Sequence, residues 1–178
     1  MKKTLIAIGC MVATVGALAQ AQVNFANFAP PQVDVKVYDV DGTTPLAGSD
    51  YMAQLYVGTS ADSLAPVEGA TATFQSGPLA GYFVGGLVTV PYPAGTHIYA
   101  QVKAWYTAGG SLTSYEAARS ALGKVGESNI IELDLTAPPA LPPNLVGLES
   151  FSLYVVPEPS TIALGLLGAA AFLLRRRK

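Results

Sequence analysis

The sequence predicts an all-β protein, built as a single β-sandwich domain of the immunoglobulin-like or jelly-roll-like kind. Three observations lead to this prediction. Short segments alternate apolar and polar residues with a period of two, turn signals separate them, and only one segment has a helical pattern. Roughly six to eight short strands within about 130 residues are typical of a sandwich. We expect a signal peptide (residues 1–21) before this domain (residues 22–155) and a sorting segment (residues 156–178) after it.

The first element, residues 1–21, has the three parts of a secretory signal peptide in order. Lys2 and Lys3 form a positive start, an apolar run follows, and small residues end it. The small residues that define the cleavage site are Ala17, Ala19 and Ala21. The mature chain is therefore predicted to start at Gln20 or Gln22. An uncleaved membrane helix is the weaker alternative, because the run is shorter than the ~20 apolar residues that a span needs.

The only cysteine, Cys10, lies inside this leading segment. A lipoprotein cysteine at this position would leave too short an apolar run before it. Cleavage at the predicted site would leave a mature chain without thiols, which excludes disulfides, thiol catalysis and cysteine-ligated metals.

The central residues contain the predicted strands. QVDVKVYDV alternates valines with polar residues, and IYAQVKAWY places small apolar residues on one face and Tyr99, Lys103 and Trp105 on the other. Further candidate strands are YMAQLYV, YFVGGLVTV, NIIELDL and LESFSLYVV. The predicted turns are Asp41-Gly42, Gly48-Ser49-Asp50, Pro91-Tyr92-Pro93 and Gly109-Gly110.

Two segments interrupt the strand pattern. SYEAARSALG, residues 114–123, is the one plausible helical turn. APPALPP, residues 137–143, is a polyproline-like connection. We interpret it as a rigid crossover inside the sandwich, because no segment of domain size follows it.

The central residues are acidic. The formal net charge of the chain is −2, but between residues 22 and 156 four cations stand against eleven carboxylates, which leaves −7. The four cations are Lys36, Lys103, Arg119 and Lys124. Nucleic acid is therefore not an expected partner, because its phosphates need a basic surface.

The chain offers little for catalysis, and we predict no catalytic, cofactor-binding or metal-binding residue and no enzymatic activity. His97 is the only histidine, and no G-x-S-x-G motif supplies a nucleophile for it. A zinc site needs several His or Cys ligands. Paired carboxylates for glycoside hydrolysis could come from Glu116, Glu127, Glu132 and Asp134, but no pair is selected.

Two binding alternatives remain open. Asp39-Val40-Asp41-Gly42, with Asp50 further on, could supply oxygen ligands to calcium, although a hairpin turn explains the Asp-Gly pair without an ion. Tyr99 and Trp105 share a strand face and could stack on sugars, although core packing is the commoner role of such residues. A carbohydrate-binding module for exopolysaccharide is thus the alternative function.

The C-terminal segment is apolar and ends in cations. Residues 161–174 carry no charge and would span about 21 Å as a helix, against a ~30 Å hydrocarbon core. Flanking cations can snorkel to complete a short span and place their end in the cytoplasm. These cations are Arg175, Arg176, Arg177 and Lys178. A buried helix of the domain is the disfavoured alternative, because the run has no polar face.

Prolines bracket a glutamate just before this apolar run. Pro157 and Pro159 disfavour helix and strand, so Val156-Pro157-Glu158-Pro159 should be extended outside the membrane. Val-Pro-Glu-Pro-Ser, the apolar run and Arg-Arg-Arg-Lys together resemble the PEP-CTERM sorting signal of Gram-negative bacteria. The resemblance implies that exosortase, a membrane-embedded cysteine transpeptidase-like enzyme, recognises Pro157, Glu158 and Pro159. It also implies transient insertion in the inner membrane and final release or attachment at the cell surface.

A second resemblance concerns the central domain. VNFAN, AQLYVG, AQVKAW, SYEAA and LVGLESFSL are similar to a recurring passenger domain of PEP-CTERM proteins from Verrucomicrobia-like bacteria. No activity is implied by this likeness. The sequence as a whole predicts an exported, non-enzymatic surface or extracellular-matrix protein.

Overall fold

The structure, a computed structural model, describes residues 20–158. This part of the chain contains twelve strands, one α-helix and one short 3-10 turn, which confirms the all-β class. The strands are β1 (Gln20–Ala26), β2 (Phe28–Ala29), β3 (Val33–Asp34), β4 (Val37–Tyr38), β5 (Gly48–Gly58), β6 (Ala65–Phe74), β7 (Val84–Pro93), β8 (His97–Tyr106), β9 (Lys124–Glu127), β10 (Ile131–Asp134), β11 (Phe151–Ser152) and β12 (Tyr154–Val155). The helix α1 is Tyr115–Ser120, and the 3-10 turn is Gly77–Leu79.

Strand β8 is the centre of a six-stranded sheet. The order is β12-β9-β8-β5-β6, and β10 also pairs with β8. The antiparallel partner β5 covers β8 over most of its length, whereas β10 and β9 share the other edge of β8 end to end. The predicted alternation explains the position of β8, because its small apolar residues are all buried. These residues are Ile98, Ala100, Val102 and Ala104.

A separate antiparallel pair, β1 and β7, contributes to the same hydrophobic core as the large sheet. Phe83, just before β7, is the contact point: its ring lies 4.8 Å from Phe25 of β1 and 5.8 Å from Phe74 of β6. One continuous core therefore joins the strand pair to the sheet. The sandwich subclass stays a prediction.

Several predicted strands divide where the chain changes partner. QVDVKVYDV forms only β3 and β4, because the N–H of Val35 donates to Asn27 and that of Val37 donates to Gly81. The predicted turn at residues 91–93 is wrong, since these residues complete β7 and the chain turns just after them. Pro93 lies opposite Gln20, near the start of β1. Prolines are tolerated here because β7 is hydrogen-bonded in this sheet to β1 alone.

The last predicted strand, LESFSLYVV, also divides. β11 pairs in parallel with β4, and β12 pairs antiparallel with β9. Between them the N–H of Leu153 donates to the carbonyl of Tyr38, and the Leu153 side chain is buried in the core. The chain thus crosses from one sheet to another within five residues, Phe151 to Val155.

The predicted helical segment is confirmed. Ser114 caps α1, and its hydroxyl accepts a hydrogen bond from the N–H of Ala117 at 3.1 Å. The buried face of α1, Tyr115 and Ala118, covers Trp105 on the outer side of the large sheet. We call this second hydrophobic cluster the helix cluster; its buried members are Tyr56, Trp105, Tyr115, Ala118 and Val125.

The predicted signal peptide and C-terminal membrane helix lie outside the described residues, except that Gln20 and Ala21 belong to β1. Among residues 20–158, no helix has the length and apolar character that a membrane crossing requires.

A fully buried asparagine joins three segments that no long strand connects. Asn27 donates from Nδ2 to the carbonyls of Val35 (2.7 Å) and Gly81 (2.9 Å), and its Oδ1 accepts from the N–H of Phe83 (2.6 Å). These backbone groups are otherwise costly to bury. Asn27 therefore holds the short strands β2 to β4 against the start of β7.

We expect Asn27→Ala to lower the free energy of unfolding by about 3 kcal/mol, because it leaves buried backbone groups without partners. Chemical denaturation of the mature chain measures this loss. Asn129→Ala is the matched control, since Asn129 also bonds two backbone groups, of Gly147 and Glu149, but near the surface. The control should lose less than about 1 kcal/mol. Equal losses would contradict the role of Asn27.

Candidate functional site

The folded domain ends at Val156. Strand β12 pairs with β9, and the N–H of Val156 then donates to the carbonyl of Gly123 at 3.1 Å. The side chain of Val156 is half-buried and packs against the helix cluster. Pro157 and Glu158 follow at once and are exposed, and Pro159 lies outside the described residues. The predicted sorting motif therefore starts where the last contact with the sheet ends.

A close backbone approach holds this terminal segment against β9. Gly126 of β9 has no side chain toward β11 and β12, and a Cβ there would lie 2.8 Å from the carbonyl oxygen of Ser152. It would also lie 2.8 Å from a methyl carbon of Leu153. Only glycine allows the two backbones to come this close. The junction of β9 with the C-terminal strands thus depends on a residue with no side chain.

Tyrosines and carboxylates surround the helix cluster. The hydroxyl of Tyr56 donates to Glu116 at 2.6 Å, and that of Tyr115 donates to Glu127. The ammonium of Lys103 lies 4.7 Å and 4.8 Å from the ring centroids of Tyr56 and Tyr115, and 3.7 Å from the carboxylate of Glu127. Cations over aromatic rings are attracted to their faces. This polar network binds α1 to the sheet, next to the contact between β9 and the C-terminal strands.

The tyrosines of this network are held in the neutral form. Burial raises the pKa of Tyr56, and the hydrogen bond to Glu116 raises it further. Burial likewise raises the pKa of Tyr115, with added contributions from its hydrogen bonds to Glu127 and to Tyr154 of β12. A neutral phenol donates to a carboxylate, so these groups satisfy each other. Two of the four carboxylates considered for hydrolysis, Glu116 and Glu127, are thus engaged in packing.

The other two carboxylates lie beside the only histidine. His97 of β8 contacts Asp134 of β10 through Nδ1 at 2.8 Å and Glu132 through Nε2 at 3.6 Å. All three side chains are exposed on neighbouring strands. Across residues 20–158, no group of three or more His, Cys, Asp or Glu side chains is arranged to hold a metal ion.

The calcium alternative is not supported by the loop that would bind the ion. Asp39 pairs with the ammonium of Lys124 at 2.8 Å and accepts from the hydroxyl of Tyr51 at 3.1 Å. Burial raises the pKa of Asp39, but hydrogen bonds from Lys124, from the Val40 N–H and from Tyr51 outweigh it and leave the pKa lowered. A lysine occupies the position that an ion would need.

The neighbouring carboxylate is engaged within its own turn. Asp41 accepts hydrogen bonds from the N–H groups of Thr43 (2.9 Å) and Thr44 (2.8 Å) and from the Thr44 hydroxyl. This is a side-chain-closed turn, which explains the Asp-Gly pair without a cation.

The sugar-stacking prediction is wrong for Trp105. Its side chain is 0% exposed, covered by α1, and its Nε1 donates to the carbonyl of Leu112 at 2.9 Å. Trp105 lies on the strand face that the alternation predicts, but α1 covers this end of the face. Tyr99 is half-buried and lies next to the His97 ring, with centroids 5.6 Å apart. Tyr99 and Trp105 are six positions apart along β8, about 20 Å, so the two rings do not form one platform.

Comparison with protein families identifies the C-terminal segment. Residues 155–178 match the model described as the PEP-CTERM protein-sorting motif. The chain is thus a PEP-CTERM-containing protein, as its resemblance to that signal predicts. The motif supports sorting by an exosortase-type enzyme, with export, transient membrane anchoring and a surface or extracellular destination. No curated protein and no solved structure matches the chain. The likeness of the central domain to Verrucomicrobia-type passengers stays a prediction.

We expect the Asp41 turn to make stability depend on acid pH. Hydrogen bonds from the Thr44 hydroxyl and from the Thr44 and Thr43 N–H groups lower the pKa of Asp41 from 3.8 to about 2. Because the folded pKa is depressed, the stabilisation is complete above about pH 4 and is lost as pH falls through about 2. The gap in melting temperature between wild type and Asp41→Asn should therefore narrow from about pH 5 to about pH 2. A gap that stays constant over this range would contradict the assignment.

Proposed function

We propose that this chain is an exported, non-enzymatic surface or extracellular-matrix protein that an exosortase-type enzyme processes at its C-terminal motif. One observation carries the proposal. The matched segment, residues 155–178, begins where the folded domain ends, and its first two motif residues, Pro157 and Glu158, are exposed. A membrane-bound enzyme can therefore meet the motif without competition from the domain surface.

The proposed route uses both ends of the chain. The leading segment directs export and is removed, and residues 161–174 hold the protein in the inner membrane with Arg175 to Lys178 in the cytoplasm. The basic end and the leading segment favour the same orientation, with the domain outside. Cleavage close to Pro157–Pro159 then separates the domain from its anchor.

The absence of an enzymatic role is supported by how the polar groups are used. Tyr56, Tyr115, Glu116 and Glu127 bond each other around α1, and Asp39 pairs with Lys124. Within residues 20–158, every buried side-chain nitrogen or oxygen has a hydrogen-bond partner. Catalytic groups are usually the ones whose bonding capacity is kept for a substrate. The domain therefore suits a structural or display role.

Affinity for exopolysaccharide is the alternative, and it is weaker after the placement of Trp105. Of the two residues proposed for stacking, only Tyr99 has an exposed part. A single half-buried ring offers little sugar-binding surface. Gel retardation of the mature chain in host polysaccharide, compared with Tyr99→Ala, is the direct test of this alternative.

We expect Glu158→Gln to reduce processing by about tenfold, equivalent to ~1.4 kcal/mol of recognition, because it removes the only charge between the two motif prolines. Pro157→Ala should act in the same direction by restoring an N–H and relaxing the extended backbone. Both changes lie outside the strand ladder and should leave the fold intact. The measurement is the ratio of full-length to processed chain, by intact mass, in a bacterium that carries the enzyme.

Glu149→Gln is the matched control for the motif variant. Glu149 is also an exposed glutamate, nine positions upstream, and its replacement removes the same charge from the chain. It should be processed like the wild type. Normal processing of Glu158→Gln would reject recognition of the motif, and poor processing of both variants would indicate a general charge effect.

We also expect the mature chain to begin at Gln20 rather than at Gln22. Gln20 and Ala21 belong to β1, Gln20 lies opposite Pro93, and Ala21 is only 4% exposed. Cleavage after Ala21 would remove a buried methyl group and the first residues of the strand. N-terminal peptide mapping of the exported protein measures this, allowing for loss of ammonia if Gln20 cyclises. A start at Gln22 would contradict it.

A further inference from the structure

We propose that the folded domain sets the upstream limit of processing: the scissile bond lies on the C-terminal side of Pro157, and the enzyme acts while β12 stays paired with β9. This inference rests on the proposed sorting function and deepens it. It concerns which residues the enzyme can reach, and it predicts that the mature protein keeps its last strand.

The backbone just before Pro157 is hydrogen-bonded within the domain. Tyr154 and Val155 are paired with Val125 and Lys124, and the N–H of Val156 donates to Gly123. Proteolytic and transpeptidase clefts commonly bind their substrate as an extended strand and hydrogen-bond its backbone edge. Strand β9 occupies one edge of β12. A cleft that encloses both edges of its substrate strand could bind these residues only after the pairing with β9 had been broken.

Side chains add to the cost of opening this end. Leu153 is 3% exposed in the main core, and Val156 packs against the helix cluster. The close approach at Gly126 means that the segment from Ser152 onward lies directly on the β9 backbone. Peeling β12 away would expose these apolar groups and the Gly123 carbonyl together.

Pro157 is the first residue after these hydrogen bonds and apolar contacts. It has no N–H to continue the ladder, and it is exposed together with Glu158. Pro157 and Glu158 therefore offer the enzyme a backbone that it can reach without unfolding the domain. A bond cleaved before Tyr154 would leave the helix cluster without Val156 and the sheet without its edge strand.

The reaction is an acyl transfer. The peptide C–N bond after the scissile residue breaks, and its acyl carbon bonds to the enzyme's nucleophile. The new amine takes up a proton and leaves with the C-terminal segment. Water, or an acceptor hydroxyl or amine, then takes the acyl group from the enzyme and frees the nucleophile.

A disulfide that locks β12 to β9 tests the inference. Lys124 and Val155 are directly opposite each other, and the bond from Val156 to Gly123 identifies them as a non-hydrogen-bonded pair. Such pairs have Cα atoms about 4.5 Å apart, within the range that a disulfide bridges. The full-length chain with Lys124→Cys and Val155→Cys would form the bridge after export to an oxidising compartment.

The matched control is a disulfide of the same kind elsewhere in the same sheet, between β8 and β10. Tyr99 of β8 and Glu132 of β10 are opposite each other, and the bond from Leu135 to Thr96 identifies them as a non-hydrogen-bonded pair as well. Tyr99→Cys with Glu132→Cys therefore adds a crosslink without touching β12. Intact mass before and after reduction reports both the disulfide and the extent of processing.

The expected result is that the β12 lock is processed to within about twofold of the control and of the wild type. The mature C-terminus should be Pro157 or a later residue in all three chains. Processing that stops in the β12 lock and returns on reduction would overturn the inference, as would a mature chain ending at Val156 or earlier. An unprocessed wild-type chain would instead reject the proposed sorting, and the inference with it.

Discussion

The rest of this structure depends on hydrogen-bond partners for the backbone N–H and C=O groups of its very short strands. β2, β3, β4, β11 and β12 have two residues each, too few to complete a ladder by themselves. Asn27 supplies bonds that a longer strand would have made, because it serves Val35, Gly81 and Phe83 from within the core. Burying these groups without partners would cost about 3 kcal/mol, a large part of the roughly 5–15 kcal/mol of a domain's net stability. Asn27 thus holds the short strands β2, β3 and β4 against the start of β7.

The same constraint explains the C-terminal junction. β11 pairs with β4, and the N–H of Leu153 then donates to the carbonyl of Tyr38. The next strand, β12, pairs with β9. The N–H of Val156 still donates to Gly123, and the next residue is a proline that has no N–H to continue the ladder. The domain boundary and the start of the sorting motif therefore coincide for one physical reason. A flexible linker is not needed to present the motif, since proline ends the ladder by itself.

The elements that sequence reasoning predicts well are those whose alternation is strong and local. β5, β8 and α1 form at the segments whose patterns predict them. β6 is missed because alanines, threonines and Pro66 give a weak strand signal, and Gly69, with φ of +74°, shifts its alternation midway. β9 is missed because it has four residues. The burial of Trp105 depends on where α1 docks, a long-range contact that no local pattern contains.

The sorting motif is different, because its information is contiguous. Two prolines around Glu158, an apolar run and four cations can be read from the chain without any fold. What sequence alone does not contain is the position of the motif relative to the domain. That position depends on Gly123 and Gly126, roughly thirty residues away in the chain, and on the helix cluster that receives Val156. The residues that an enzyme would recognise are therefore contiguous in the sequence, whereas access to them depends on the tertiary structure. A passenger domain with a longer tail after its last strand would carry the same motif but impose no such limit on the enzyme.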